Sequence, residues 1–271
     1  MGNSEDTYTH GHHASVVGQH ARRTAAKDAA YLLPRLAPGM RLLDVGCGPG
    51  TITVGLAEAV APAEAIGIDV VDAVLDDARE HARTAGVGNV RFERASVYEL
   101  PYADASFDVA HANQVLQHLT RPVDALREVS RVLRPGGLVA VRDADYATMT
   151  AWPRFDAIDR WLGLYHRVAE RNGADCDAGR RVQSWLRDAG LVDIELLPTV
   201  ELYADPASTA NWGNSWAERV VHSSLAEQAV SYGLATAREL EAIADGWRAW
   251  ARADGALFMF VHVAALARRQ A

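Results

Sequence analysis

The 271-residue chain has only two cysteines, Cys47 and Cys176, far apart and in no Cys-x-x-Cys pair. That scarcity excludes a disulfide-stapled secreted scaffold and a cysteine zinc ribbon, and it leads us to expect a reducing, cytoplasmic setting. Positive charge is also short, with 27 Lys and Arg against 35 Asp and Glu and a net charge of −8. A chain of that sign is poorly suited to phosphate backbones, so no nucleic-acid partner is expected. The longest nearly apolar stretch, Ala256 to Ala267, is interrupted by His262 and is too short for a bilayer. The start, MGNSEDTYTHGHHASVV, lacks the basic head and apolar core of an export signal, and no membrane association is expected. Repeats and Pro/Gly/Ser-rich linkers are missing too, so residues 1–271 read as one domain.

What is present is an ordinary globular composition, 49% hydrophobic and 23% charged, able to bury a full core. From Arg41 the apolar runs LLDV, AIGIDV, VRFERA, FDVAHA and GLVAVRDA recur between stretches of helical spacing such as Asp72 to Gly86 and Arg121 to Leu133. This alternation predicts an α/β fold with a mostly parallel sheet, helices on both faces, and ligands bound beyond the carboxyl ends of the strands. Residues 1–35 read as an N-terminal arm with a helix from Gln19 to Leu36, residues 36–147 as the ligand-binding core, and 148–190 as helices. Residues 191–271 hold the last two strands, Val192 to Tyr203 and Ala256 to Leu266. Between them Pro206 to Arg252, with Trp212, Trp216, Trp247 and Trp250, is too long for a hairpin loop and reads as a helical cap inserted over about 205–252.

The decisive segment is Leu42-Leu43-Asp44-Val45-Gly46-Cys47-Gly48-Pro49-Gly50, an apolar strand entering a glycine-rich turn that opens a helix near Thr51. Glycines there let a ligand lie against backbone, with helix N–H groups close by. The spacing is G-x-G-x-G, whereas the dinucleotide fingerprint requires a third glycine where Thr51 stands, which counts against NAD. A second element, Ile66-Gly67-Ile68-Asp69, ends the next strand with an acid 23 residues after Gly46. One ionised carboxylate there is able to accept from both hydroxyls of a ribose.

Together with ERASVYELPYADASFDVAHANQVLQHL and RVLRPGGLVAV, these motifs resemble those of the class I S-adenosylmethionine-dependent methyltransferases, in the small-molecule branch related to ubiquinone and menaquinone biosynthesis. The resemblance implies a Rossmann-like seven-stranded sheet of order 3-2-1-4-5-7-6 with an antiparallel last strand, here FMFVHVAALARR. It implies methyl transfer from S-adenosylmethionine to an O, N or C atom of a small secondary-metabolite or quinone-like acceptor, releasing S-adenosylhomocysteine. Carried onto this chain, Asp44, Gly46 and Gly48 would face the methionine part of the cofactor and Asp69 the ribose. Val70, Ser96 and Val97 would meet the adenine, with Ser96 standing where many relatives have Asp. Asn113 and Gln114 would border the sulfonium, and Tyr8 and Arg23 of the arm would close over the carboxylate.

His118 is the candidate general base, because a hydroxyl or carbon nucleophile needs a proton removed. Tyr146 and Trp216 are the first choices for acceptor contacts, with Trp152 and Trp212 as further aromatic candidates. Within Arg142-Asp143-Ala144-Asp145-Tyr146, the charges are read as loop anchors ahead of substrate contacts. His10, His12 and His13 lack companion ligands, so no metal is expected, and Cys47 is read as a packing residue. The chain is expected to act as a monomer or homodimer. The alternatives are a non-catalytic S-adenosylmethionine-binding regulator and, further off, an NAD-dependent oxidoreductase.

Overall fold

A computed structural model describes residues 6, 7, 9 and 23–271. Tyr8, His10, His12, His13 and the expected start of the N-terminal helix lie outside the described residues. Seven strands form one sheet: β1 (Leu42–Val45), β2 (Ala65–Asp69), β3 (Val90–Arg94), β4 (Phe107–Asn113), β5 (Leu133–Trp152), β6 (Val192–Tyr203) and β7 (Leu257–Arg268). Their order is β3-β2-β1-β4-β5-β7-β6, as the resemblance implied. The first five run parallel, and β7 runs antiparallel to both neighbours.

The central strands are buried on both faces, which is why they read as continuous apolar runs rather than alternating ones. On one face, Leu42, Val109, Ala140 and Leu266 pack against Ile52, Leu56 and Val60 of α2 (Thr51–Val60) and Ala25 of α1 (Ala25–Asp28). On the other, Leu43, Val45, Val139 and Val141 pack against Leu126 and Val129 of α4 (Pro122–Val132) and Val182 and Leu186 of α6 (Ala178–Asp188). Beside β2 and β3, α3 (Asp72–Ala85) turns Val74, Leu75, Ala78 and Ala82 inward and ends on Gly86 in the left-handed conformation, which costs glycine no Cβ clash.

The cap consists of α5 (Asp156–Arg171), α7 (Pro206–His222), α8 (Ser224–Ser231) and α9 (Ala237–Trp250). The last begins with a reciprocal capping box between Thr236 and Glu239. Its core is aromatic: Trp161 packs edge-on against Trp216 and Trp247 with ring centroids 4.3 and 5.0 Å apart. Such pairs add to the area term because ring edges meet ring faces.

Two expectations are corrected. The N-terminal helix does not run unbroken to Leu36: α1 stops at Asp28, and a separate 3-10 turn covers Leu33–Arg35, with Pro34 unable to donate to a continuing helix. Strand β5 does not give way to a loop at Arg142. It continues to Trp152 because β7 pairs with it on both sides of an irregularity between Asp145 and Thr150.

Trp161 is completely buried. Trp161→Ala should lower stability by about 3–5 kcal/mol, read as a fall in the urea midpoint at constant slope; an unchanged midpoint would show that the cap core does not depend on this ring.

Candidate active site

The carboxyl ends of β1, β2 and β4 open onto a cavity of about 560 Å³. Its floor is the glycine turn. Gly46 and Gly48 have φ of +63° and +52°, a region L side chains rarely adopt. A Cβ on Gly46 would sit 2.5 Å from Val115 Cγ2, whereas at Gly48 nothing lies within 4 Å. The turn is thus closed on its inner side and bare where it faces the cavity. Gly50, left-handed at φ 75°, then starts α2, whose first residues Thr51 and Ile52 also line the wall.

Asp69 ties this turn to the next one. Its Oδ2 accepts from Gly48 N and its Oδ1 from Val71 N, both at 3.1 Å. An ionised carboxylate accepts through both oxygens, so these bonds fix its orientation at the cavity wall. Val70 beside it is 55% exposed, an apolar side chain offered to the cavity. Ser96 and Val97, from the adjacent strand end, line the same compartment, and the Ser96 hydroxyl accepts from Tyr98 N at 3.3 Å.

Asp44 also lines the cavity, but both its oxygens are engaged. Oδ2 accepts from the Thr53 hydroxyl and Oδ1 from His111 Nδ1 at 2.7 Å. Its carboxylate therefore braces β1 against β4 and α2. Asn113 is buried, and its Oδ1 takes a long hydrogen bond from Arg142 Nη1 at 3.4 Å. That contact turns Nδ2 away, and this amide nitrogen has no partner among the described residues. A buried donor without an acceptor costs about 1–3 kcal/mol, and this one belongs to a residue of the cavity lining.

Gln114 holds a strained φ of 56°. Its Oε1 accepts from Arg23 Nη2 at 2.8 Å, so its Nε2 is the atom 2.8 Å from His262 Nε2. A second glutamine fixes a second ring: Gln117 Oε1 accepts from Ala144 N at 3.3 Å, and Gln117 Nε2 donates to His118 Nε2 at 2.9 Å. An amide nitrogen only donates, so His118 carries its proton on Nδ1. Burial, reinforced by the charge of Arg23, lowers the His118 pKa to about 3. The imidazole is neutral at physiological pH, and its Nε2 lone pair is already used.

Arg23, Asp44, Gly46, Gly48, Asp69, Val70, Ser96, Val97, Asn113, Gln114 and His118 thus share one cavity. Tyr146 and Trp216 do not line it. Tyr146 stacks on Tyr165 at 4.6 Å and Trp216 packs on Trp161 inside the cap. Trp212 stacks on Tyr203 in the same core, at 4.3 Å, while Trp152 is 67% exposed. The anchor reading of the charges after β5's midpoint fits their contacts: Arg142 meets Asp28 and Glu201, and Arg180 clamps Asp145 with two bonds. Sequence reasoning missed Asp6, whose Oδ1 accepts from both Thr120 N and Oγ1 at 2.8 and 2.7 Å. It also missed Arg121, which lies over the Tyr98 ring. Asp6, Tyr98 and Arg121 all reach the cavity, and no local motif announced any of them.

The methyltransferase domain family matches residues 36–190, and the chain belongs to it. It is a methyltransferase. The chain is 33% identical to an uncharacterized methyltransferase of Schizosaccharomyces pombe over 93% of each protein. It is 36% identical to the 27-O-demethylrifamycin SV methyltransferase of Amycolatopsis mediterranei over 66% of this chain, spanning 63% of that relative. The structure of Haemonchus contortus phosphoethanolamine N-methyltransferase 2, in complex with phosphomonomethylethanolamine and S-adenosylhomocysteine, shares the fold. Its TM-score is 0.54 at 17% identity, covering 91% of this chain and 53% of that one.

Behind the cavity, Asp143 is wholly buried. Its Oδ1 accepts from Gln117 N at 3.1 Å, while Oδ2 has no partner among the described residues. Burial pushes its carboxyl up to about 7. Because the folded pKa lies above the unfolded one, the folded state holds the proton more tightly, and stability falls as pH rises from about 4 to about 7. Asp143→Asn should remove that fall: between pH 5 and 8 wild type should lose about 2 kcal/mol more than the variant. Parallel denaturation curves at the two pH values would contradict the assignment.

Proposed function

We propose that the chain transfers a methyl group from S-adenosylmethionine to a small, partly apolar acceptor at an O, N or C atom, releasing S-adenosylhomocysteine. The observation that carries this reading is the bare glycine turn braced by Asp69, with Asn113 and Gln114 lining the same cavity. The residues fit the cofactor. Asp69 stands at the strand end where a carboxylate accepts from a ribose diol, and Val70, Ser96 and Val97 form a mixed compartment suited to a purine. Gly46 and Gly48 admit close approach of the methionine portion. Asn113, Gln114 and Arg23 supply donors and a cation for a sulfonium-bearing amino acid with a free carboxylate.

The cofactor, when bound, supplies an electrophilic methyl on a good leaving group. The protein's task is then alignment of the acceptor, exclusion of water and, where needed, proton removal. His118 shapes the acceptor wall rather than acting as a base, since its Nε2 lone pair is engaged and burial lowers its basicity. Acceptors that arrive as nucleophiles suit such a wall: a carboxylate, a neutral amine, or an acidic hydroxyl of the hydroquinone type. The relative named for 27-O-demethylrifamycin SV is consistent with a hydroxyl acceptor.

Calorimetric titration of the chain with S-adenosylmethionine, S-adenosylhomocysteine and NAD should show saturable binding of the first two only; binding of NAD alone would overturn the reading. Asp69→Ala should weaken the adenosyl ligands by about ten- to a hundredfold by leaving buried hydroxyls unpaired, and unchanged affinity would remove the ribose assignment. Once an acceptor is in hand, His118→Gln should retain the wild-type pH profile, whereas loss of roughly 10²–10⁴ in rate with loss of an ionisation would restore a general base.

A further inference from the structure

Away from the cavity, His166, Cys176 and Asp177 each bring one ligand atom within 4.8 Å of the others. His166 lies on α5, and Cys176 and Asp177 lie in the turn before α6. His166 Nδ1 is 2.8 Å from the carbonyl oxygen of Leu162, one turn back on the same helix. A carbonyl only accepts, so this nitrogen carries the proton, and in a neutral ring Nε2 then presents a lone pair. That lone pair faces another acceptor, because Nε2 is 3.0 Å from Asp177 Oδ1. Two acceptors at that separation repel unless a proton or a metal ion lies with them.

The surroundings are acidic. Asp145, Asp175 and Asp177 gather here against Arg180, paired with Asp145, and Arg181, 3.8 Å from Asp175. A negative field of this kind favours a cation among these groups.

We propose that His166 Nε2, the Cys176 sulfur and the Asp177 carboxylate form a binding site for a divalent metal ion of the zinc class, completed by solvent. The mixed N, S and O donor set is the one zinc accepts, and the Leu162 carbonyl acts as the outer partner that orients the imidazole. On binding, the Cys176 S–H bond breaks, its proton passes to solvent, and a sulfur–metal bond forms with no change of oxidation state. The site is structural in placement. Asp177 Oδ1 also accepts from Ala147 N at 2.7 Å, and Tyr146 N donates to the Cys176 carbonyl at 3.2 Å, so an ion here clasps cap helix α5 to the far half of β5. None of the three ligands reaches the cavity wall.

The test uses the full chain, stripped with a chelator and titrated with Zn²⁺ and Co²⁺. The expected result is one equivalent of Zn²⁺ retained through gel filtration, a sulfur-to-cobalt charge-transfer band with Co²⁺, and a raised thermal midpoint with Zn²⁺. Cys176→Ser should abolish the band, and His166→Gln should weaken Zn²⁺ at least tenfold, while Cys47→Ser leaves both unchanged. A second readout guards against misfolding: metal-free Cys176→Ser should keep the wild-type far-ultraviolet circular dichroism and its binding of S-adenosylhomocysteine. Zn²⁺ retention without a thiolate band, or a band that survives Cys176→Ser, places the metal elsewhere, for instance on His10, His12 and His13, and overturns the proposal. No retention at all leaves the contact between His166 and Asp177 as a hydrogen bond and overturns it equally.

Discussion

The candidate site depends on one carboxylate at the end of β2. Asp69 accepts from Gly48 N on the first strand-to-helix turn and from Val71 N on the second, so two backbone segments that would otherwise move independently share one rigid anchor. The turn it holds has three left-handed glycines, Gly46, Gly48 and Gly50. Such a backbone is entropically costly to order. A charge-assisted bond to Gly48 N offsets part of that cost and presets the cavity floor before any ligand arrives.

Behind that floor the sheet carries a polar layer that an ordinary α/β core would fill with Val and Leu. Asp44 is bonded to Thr53 and His111, and buried Arg142 meets Asp28 of α1 at 3.6 Å and Glu201 of β6 at 3.3 Å. Buried charges are tolerated only when paired. Here the pairing joins α1 to β5 and to the edge strand β6, and Arg142 also holds Asn113 of the cavity lining. The arm's last described segment is thereby coupled to the site by Arg23 on Gln114 and by Asp28 on Arg142.

Much of this was legible in the sequence because its cause is local. The apolar runs before Gly46 and Asp69, the turn glycines and the capping and periodicity of the helices dictate their own geometry, and the resemblance supplied the strand order they imply. The 3-10 break at Pro34 was readable in principle from the proline. The continuation of β5 past Arg142 was not, because it exists only where β7 supplies hydrogen-bond partners to a polar stretch. The tautomer of His118 was equally hidden: it is set by Gln117, whose own orientation is set by Ala144 N on β5. Tyr146 and Trp216 were assigned to the acceptor because aromatic residues line many pockets, but their burial here is decided by the mutual packing of cap helices far apart in sequence.

The central claim is that the cavity between the glycine turn and Asn113 holds an adenosyl cofactor through Asp69. The most direct measurement is a crystal structure of the chain bound to S-adenosylhomocysteine. The account predicts both ribose hydroxyls on the Asp69 carboxylate, the purine beside Val70 and Val97, and the amino-acid portion within reach of Asn113 Nδ2. An adenosyl group bound elsewhere, or with its ribose away from Asp69, would contradict it.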